Sequence, residues 1–221
     1  MRTRSDLSGP FELNIIGTNA TTADPPGQPM NLELHSQRLL LRPLAAEDLE
    51  LAVELFTDPE IMTFVGKPST AEMIAEEMPI ALSRGGGGCI GIWCILDRIT
   101  GEKLGETFLL PLAIEGDDTD WDLVGGPGLP EAEIETGYFL RRPAWGKGYA
   151  TETIKRLTMF AFEETPLEEL VAVIDPKNDA SHNVLLKAGF TEEGPRRAYA
   201  TEMQGFRISR AQWKAQFGDA G

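Results

Sequence analysis

Two glycines one residue apart, Gly146 and Gly148, stand where an extended run, residues 137–141, gives way to a segment striped with apolar residues. A helix that starts there leaves several backbone N–H groups without partners and carries roughly half a positive charge at its mouth. Glycine has no Cβ, so an anion such as a phosphate can approach the bare main chain. The plain alternative is a strand–turn–helix corner with two turn glycines. Glu152, in the first turn of that helix, suits the dipole but would repel a phosphate it faced. A second pair, Asn178 and Ser181, precedes an apolar face of Val184, Leu185 and Ala188. Both residue types are ordinary helix-start residues. The functional reading instead puts the Asn178 amide on a peptide-like arm of a ligand and the Ser181 hydroxyl beside a leaving group.

The elements that must position these groups follow from periodicity. Residues 38–43 read as a strand, 46–57 as a helix opened by Glu47 and Asp48, and 70–83 as a second helix. Gly85 to Gly88 reads as a flexible turn and not as a phosphate loop, since no helix follows it. Strands at 89–97 and 103–114 join through Thr100-Gly101. After the acidic, Gly- and Pro-containing stretch 115–130 come a strand (132–141) and a helix (148–163) carrying Ala150, Ile154, Leu157 and Ala161 on one stripe. A β-branched strand (170–174), a helix (178–187) closed by Gly189, two more strands and the short segment 210–217 complete the chain. The order predicts an α/β (α+β) fold, a mixed sheet with helices on both faces. Residues 17–31 read as a linker, and 11–16 as a strand that docks or stays free. The expected layout is an extension at 1–31 ahead of one domain at 32–217.

Composition narrows the partners. Of 221 residues, 20 are basic and 35 acidic, a net charge of −15 that argues against nucleic acid and fits a cationic acceptor or plain solubility. No apolar run reaches the length of a membrane span, and the N-terminus lacks a signal-peptide core, so a soluble, cytoplasmic protein is expected. The two cysteines, Cys89 and Cys94, fall on opposite strand faces and read as buried, reduced thiols. With two histidines in the chain, no His-based metal site is expected.

The ordered set Gln37-Arg-Leu-Leu-Leu-Arg-Pro-Leu44, Asp58-Pro-Glu-Ile-Met62, Gly137-Tyr-Phe-Leu140, Trp145-Gly-Lys-Gly-Tyr-Ala150, Asn178-x-x-Ser181, Lys187-Ala-Gly-Phe190 and Arg210-Ala-Gln-Trp213 resembles the GNAT superfamily of acyl-CoA-dependent N-acetyltransferases, in particular the branch that includes the ribosomal-protein-alanine N-acetyltransferases. The resemblance implies a mostly antiparallel central sheet and acetyl-CoA as donor, with no metal. It implies a pyrophosphate loop at Trp145, Gly146, Lys147, Gly148, Tyr149, Ala150 and Thr151, the last two fixed positions of the family pattern falling on Gly148 and Ala150. Phe139, Leu140 and Arg141 would pair with the pantetheine arm and Asn178 would hold it, while Arg141, Arg142 and Lys147 would meet phosphates. Glu135 is the expected base, with Glu133 as runner-up, and solvated strand carboxylates are the plain alternative. The tyrosine that many members carry seven residues after the Asn is replaced by Leu185, which leaves Ser181 or water to protonate the thiolate. The amine acceptor is unknown, a cationic one being favoured by Asp117, Asp118, Asp120 and Asp122. A homodimer is left open. So is a non-catalytic acyl-CoA-binding sensor or interaction module on the same fold.

Overall fold

The computed structural model describes residues 30–218, so the run at 11–16 and nearly all of the linker lie outside the described residues. The elements in chain order are β1 (Leu34–His35), β2 (Leu39–Pro43), α1 (Leu49–Thr57), α2 (Ala71–Ala81), β3 (Gly91–Asp97), β4 (Lys103–Pro111), α3 (Trp121–Val124), β5 (Ile134–Leu140), α4 (Tyr149–Glu163), β6 (Glu169–Ile174), α5 (Asp179–Lys187), β7 (Thr191–Ala198), β8 (Thr201–Ser209) and α6 (Arg210–Phe217). The strands form one sheet in the order β1-β2-β3-β4-β5-β6-β8-β7. Its ladders are antiparallel except β5–β6.

Period-two alternation sorts the strand residues onto two faces. Trp93, Ile95 and Leu109 pack with Ile154, Leu157 and Phe160 of α4. The opposite face carries Cys94 against Leu51 and Leu55 of α1 and Met78 of α2. The two thiols thus lie in different clusters, both buried and free. The expected stripe on α4 is present and wider than read, since Thr153, Thr158 and Phe162 are buried with it. Thr70 caps α2 by accepting from Met73 N, and Ser209 with Gln212 forms a capping box on α6.

Three expectations change. The helix expected at 46–57 is a 3-10 turn, Ala46–Asp48, leading into α1, because the Asp48 carboxylate folds back onto Arg42 and the Ala45 N–H. The strand expected from residue 89 begins at Gly91, after the turn at Gly85 to Gly88. That turn and the acidic stretch are packed together: α3 buries Val124 in the main core, and a Cβ on Gly85 would stand 1.7 Å from the Val124 carbonyl oxygen. Among the described residues no helix is long and apolar enough to cross a membrane.

One carboxyl in the sheet has no visible compensation. Glu106 of β4 faces α1, 3% exposed, and its Oε1 lacks a hydrogen-bond partner. Burial, then the nearby charge of Asp48, pushes its pKa up to about 8. A folded value above the unfolded one means that stability is whole at acid pH and falls as pH rises from the unfolded value towards 8. Glu106→Met is therefore expected to raise the urea midpoint by an amount that grows between about pH 5 and 8, on the order of a few kcal/mol at the top of that range. A gain that does not vary with pH would mean that Glu106 is ionised and paired in the native state.

Candidate active site

The sheet comes apart at one place. β5 and β4 pair over seven positions, from Pro111↔Ile134 to Gly105↔Leu140. β6 pairs with β8 over six, but with β5 only at Glu135↔Val171. Beyond Glu135 the parallel neighbours diverge and leave an open edge on β5. The main-chain groups on that edge can be named. Thr107 Oγ1 donates to Gly137 O at 2.7 Å, Arg141 N donates to Leu104 O at 2.9 Å, and a Cβ on Gly105 would lie 2.0 Å from Phe139 O. The odd residues are therefore turned to β4. By strand alternation, Tyr138 turns its N–H and C=O, and Leu140 its N–H, towards the opening. The Leu140 carbonyl accepts from Trp145 Nε1 at 2.8 Å. Of the three residues expected to offer main-chain pairing, Leu140 turns its N–H to the opening, while Phe139 and Arg141 are engaged with β4.

The opening leads to the start of α4. Gly146 (φ 70°) and Gly148 (φ 80°) both lie in the left-handed region, which explains two glycines in a three-residue turn. Gly148 is the N-cap and has no side chain to offer, and the first intrahelical bond runs from Glu152 N to Gly148 O. The N–H groups of Tyr149, Ala150 and Thr151 thus have no intrahelical partner. Glu152 is turned away from the mouth of the helix, accepting from Ser36 Oγ, Arg38 N and Arg38 Nε at 2.7–2.8 Å. Arg38 also donates to Lys147 O and lies 4.6 Å from the centre of the Tyr149 ring, a cation beside the helix start that sequence reading passed over. Lys147 is exposed at the turn. Arg141 and Arg142 are not aimed there: Arg141 pairs with Glu54 and Glu102, and Arg142 with Asp58 and Glu60. Their expected phosphate role gives way to tying the β5–α4 turn to α1.

At the closed end of the opening lies Glu135, 4% exposed. Burial pushes its pKa up to about 7, against the hydroxyl of Tyr199, the Val173 N–H and the charge of Arg196, which favour the carboxylate. Tyr199 donates to Glu135 Oε2. Glu133, the runner-up, is held between Arg196 and Arg207, and the bond from Arg196 in particular keeps its carboxyl below the usual range. It is a poor proton acceptor near neutral pH. On the other side of the opening, Asn178 Oδ1 accepts from Ser181 N at 3.0 Å, an N-cap bond that meets the plain expectation for this residue. The Ser181 hydroxyl lies 3.0 Å from Tyr138 Oη. Burial, the larger effect, raises the Tyr138 pKa, so the phenol keeps its proton at neutral pH. Leu185, at the position of the missing tyrosine, is a core residue. Tyr138 and Tyr199 were not singled out from sequence, since each meets its partner across 43 or 64 residues of chain.

Residues 38–191 match the family model for the GNAT acetyltransferase domain. The chain belongs to the GNAT acetyltransferase family. Among relatives, the uncharacterized N-acetyltransferase YoaA of Bacillus subtilis is 29% identical over 171 residues, 75% of this chain and 86% of that protein. The FsC-acetyl coenzyme A-N(2)-transacetylase of Aspergillus fumigatus is 30% identical over 164 residues, 72% of this chain and 64% of that one. A solved spermidine N-acetyltransferase from Vibrio cholerae, in complex with CoA and spermine, shares the fold at a TM-score of 0.61 and 16% identity, covering 80% of this chain and 99% of its own. This GNAT protein is accordingly an N-acetyltransferase enzyme, and its sheet of mostly antiparallel strands between helices is the family's.

Proposed function

We propose that this GNAT enzyme transfers the acetyl group of acetyl-CoA directly to the nitrogen of a cationic primary amine. The observation that carries the reading is the divergence of β6 from β5 just beyond Glu135, which leaves Tyr138 and Leu140 main-chain groups free ahead of the uncapped start of α4. An extended amide-bearing arm fits the strand edge by strand addition. A pyrophosphate fits the N–H groups of Tyr149, Ala150 and Thr151, with Arg38 and Lys147 beside them.

Glu135 takes the proton of the attacking amine, a task for which a carboxyl poised near pH 7 is matched. A proton from water reaches the departing thiolate through Tyr138 and then Ser181, each hydroxyl giving one proton and taking one, so the pair does what the family's usual tyrosine would do from position 185. Asn178 orients Ser181 through the cap bond and leaves its amide N–H groups for the donor's arm. The acceptor's charge is argued from the exposed Asp117 and Asp122 near the same end of the sheet, and from the overall charge of −15. Two buried thiols suit a reducing cytoplasm.

The test is release of free thiol from acetyl-CoA across a panel of polyamines, aminoglycosides, peptides with basic N-termini and neutral amines. Turnover with cationic amines is expected. Asp117→Lys with Asp122→Lys should raise the KM of the best cationic substrate at low salt and have less effect at high salt. An unchanged KM at low salt would remove the charge argument, and turnover confined to neutral amines would overturn the acceptor class.

A further inference from the structure

Glu135 has almost no contact with water, so protein groups and not solvent set the orientation of its carboxyl. Tyr199 and Ala200 form the two-residue turn between β7 and β8, closed by Ala198↔Thr201, and both have positive φ, 49° and 55°. Residues with a Cβ are disfavoured there, and glycine or asparagine is the usual choice. The strained tip is pinned by Tyr199 N to Ala113 O and Ala200 N to Ile114 O, each at 3.0 Å. This fastens the hairpin to the segment that leads into the acidic stretch. The pinned turn aims the Tyr199 hydroxyl at Glu135, with the buried Thr119 of the acidic stretch beside the same phenol.

We infer that Tyr199 is a positioning residue that orients the Glu135 carboxyl. The inference rests on Glu135 being the base of the acetyl transfer. Burial, then the charge of Glu135, holds the phenol pKa well above its usual value, so the phenol keeps its proton and stays a donor to the carboxylate. The other groups facing the pair are Arg196 of β7, with its partner Glu133, the Val173 N–H of β6, and Asp118 beside Thr119.

In the full chain, the Glu135 side chain is titrated by carbon-13 NMR, and kcat/KM is followed against pH. Tyr199→Phe keeps the ring and should move the Glu135 titration and the acidic limb of kcat/KM upward together, because it removes a donor that favours the carboxylate. An unmoved Glu135 titration in Tyr199→Phe overturns the orienting role. If Glu135→Gln proves fully active, the base assignment fails instead, and the NMR titration still reports on the Tyr199 bond by itself.

Discussion

Glu135→Gln should lower kcat by about 10²- to 10⁴-fold, the range that loss of a positioned general base produces, while the KM for acetyl-CoA stays near its original value. The amide keeps the shape of the side chain and can still accept from Tyr199, so the fold should survive. The acidic limb of kcat/KM, expected near pH 7 because burial outweighs the donors around this carboxyl, should vanish. A competing role is plain: the carboxylate also meets the Val173 N–H where the β5–β6 ladder ends, and so acts as a plug for the opened sheet. A plug predicts the reverse pattern, a lowered melting temperature with activity within about threefold of the original. Steady-state kinetics and a melting curve on the same variant decide between them.

Asp48→Ala should be the most damaging single change to stability, on the order of 3 kcal/mol at neutral pH, because it leaves two half-buried cations without their counter-charge. Asp48 is fully buried and receives Arg42 through two nitrogens at 2.7 and 2.8 Å, Lys103 at 2.6 Å and the Ala45 N–H at 2.9 Å. Burial by itself would raise its pKa; the bonds from Arg42, Lys103 and Ala45 prevail and hold it at about 2. A depressed folded value contributes stability that is present above the unfolded pKa and is lost as pH falls towards 2. Urea midpoints of the variant and the original chain should therefore differ most near pH 7 and draw together only as pH falls from about 4 towards 2. A difference under about 1 kcal/mol would place the cluster with exposed ion pairs. The cluster joins β2, β4 and the entry to α1, and α1 supplies the Glu54 that holds Arg141 beside the opening, so a loosened cluster should also weaken donor binding.

What the sequence disclosed and what it withheld divide along physical lines. Local patterns read well where they fall inside regular elements: the apolar stripe on α4 and the glycine that closes α5 with φ 95° are as expected, whereas Cys89 lies in the turn before β3 and not on a strand face. The turn of Tyr199 and Ala200 has no local sign, because a two-residue turn at positive φ is normally announced by glycine or asparagine. Here contacts with Ala113 and Ile114 hold it. Arg141 and Arg142 show the complementary limit: a run of cations beside an anion cradle states a charge but not a partner, and Glu54, Asp58 and Glu60 claim both. Glu135 could be placed by its strand and by family resemblance. Its surroundings, which set its proton affinity, come from β6 and the β7–β8 turn and are visible only once the sheet is assembled.

The central claim is direct acetyl transfer from acetyl-CoA held in the opened sheet. Its most direct test is intact-mass analysis of the protein and of an acceptor after incubation with acetyl-CoA. Direct transfer predicts an enzyme of unchanged mass with or without acceptor, and an amine product one acetyl group heavier that forms only when enzyme and donor are both present. An acetylated enzyme that chases into product, or donor bound tightly with no acetylated amine from any acceptor, would contradict it.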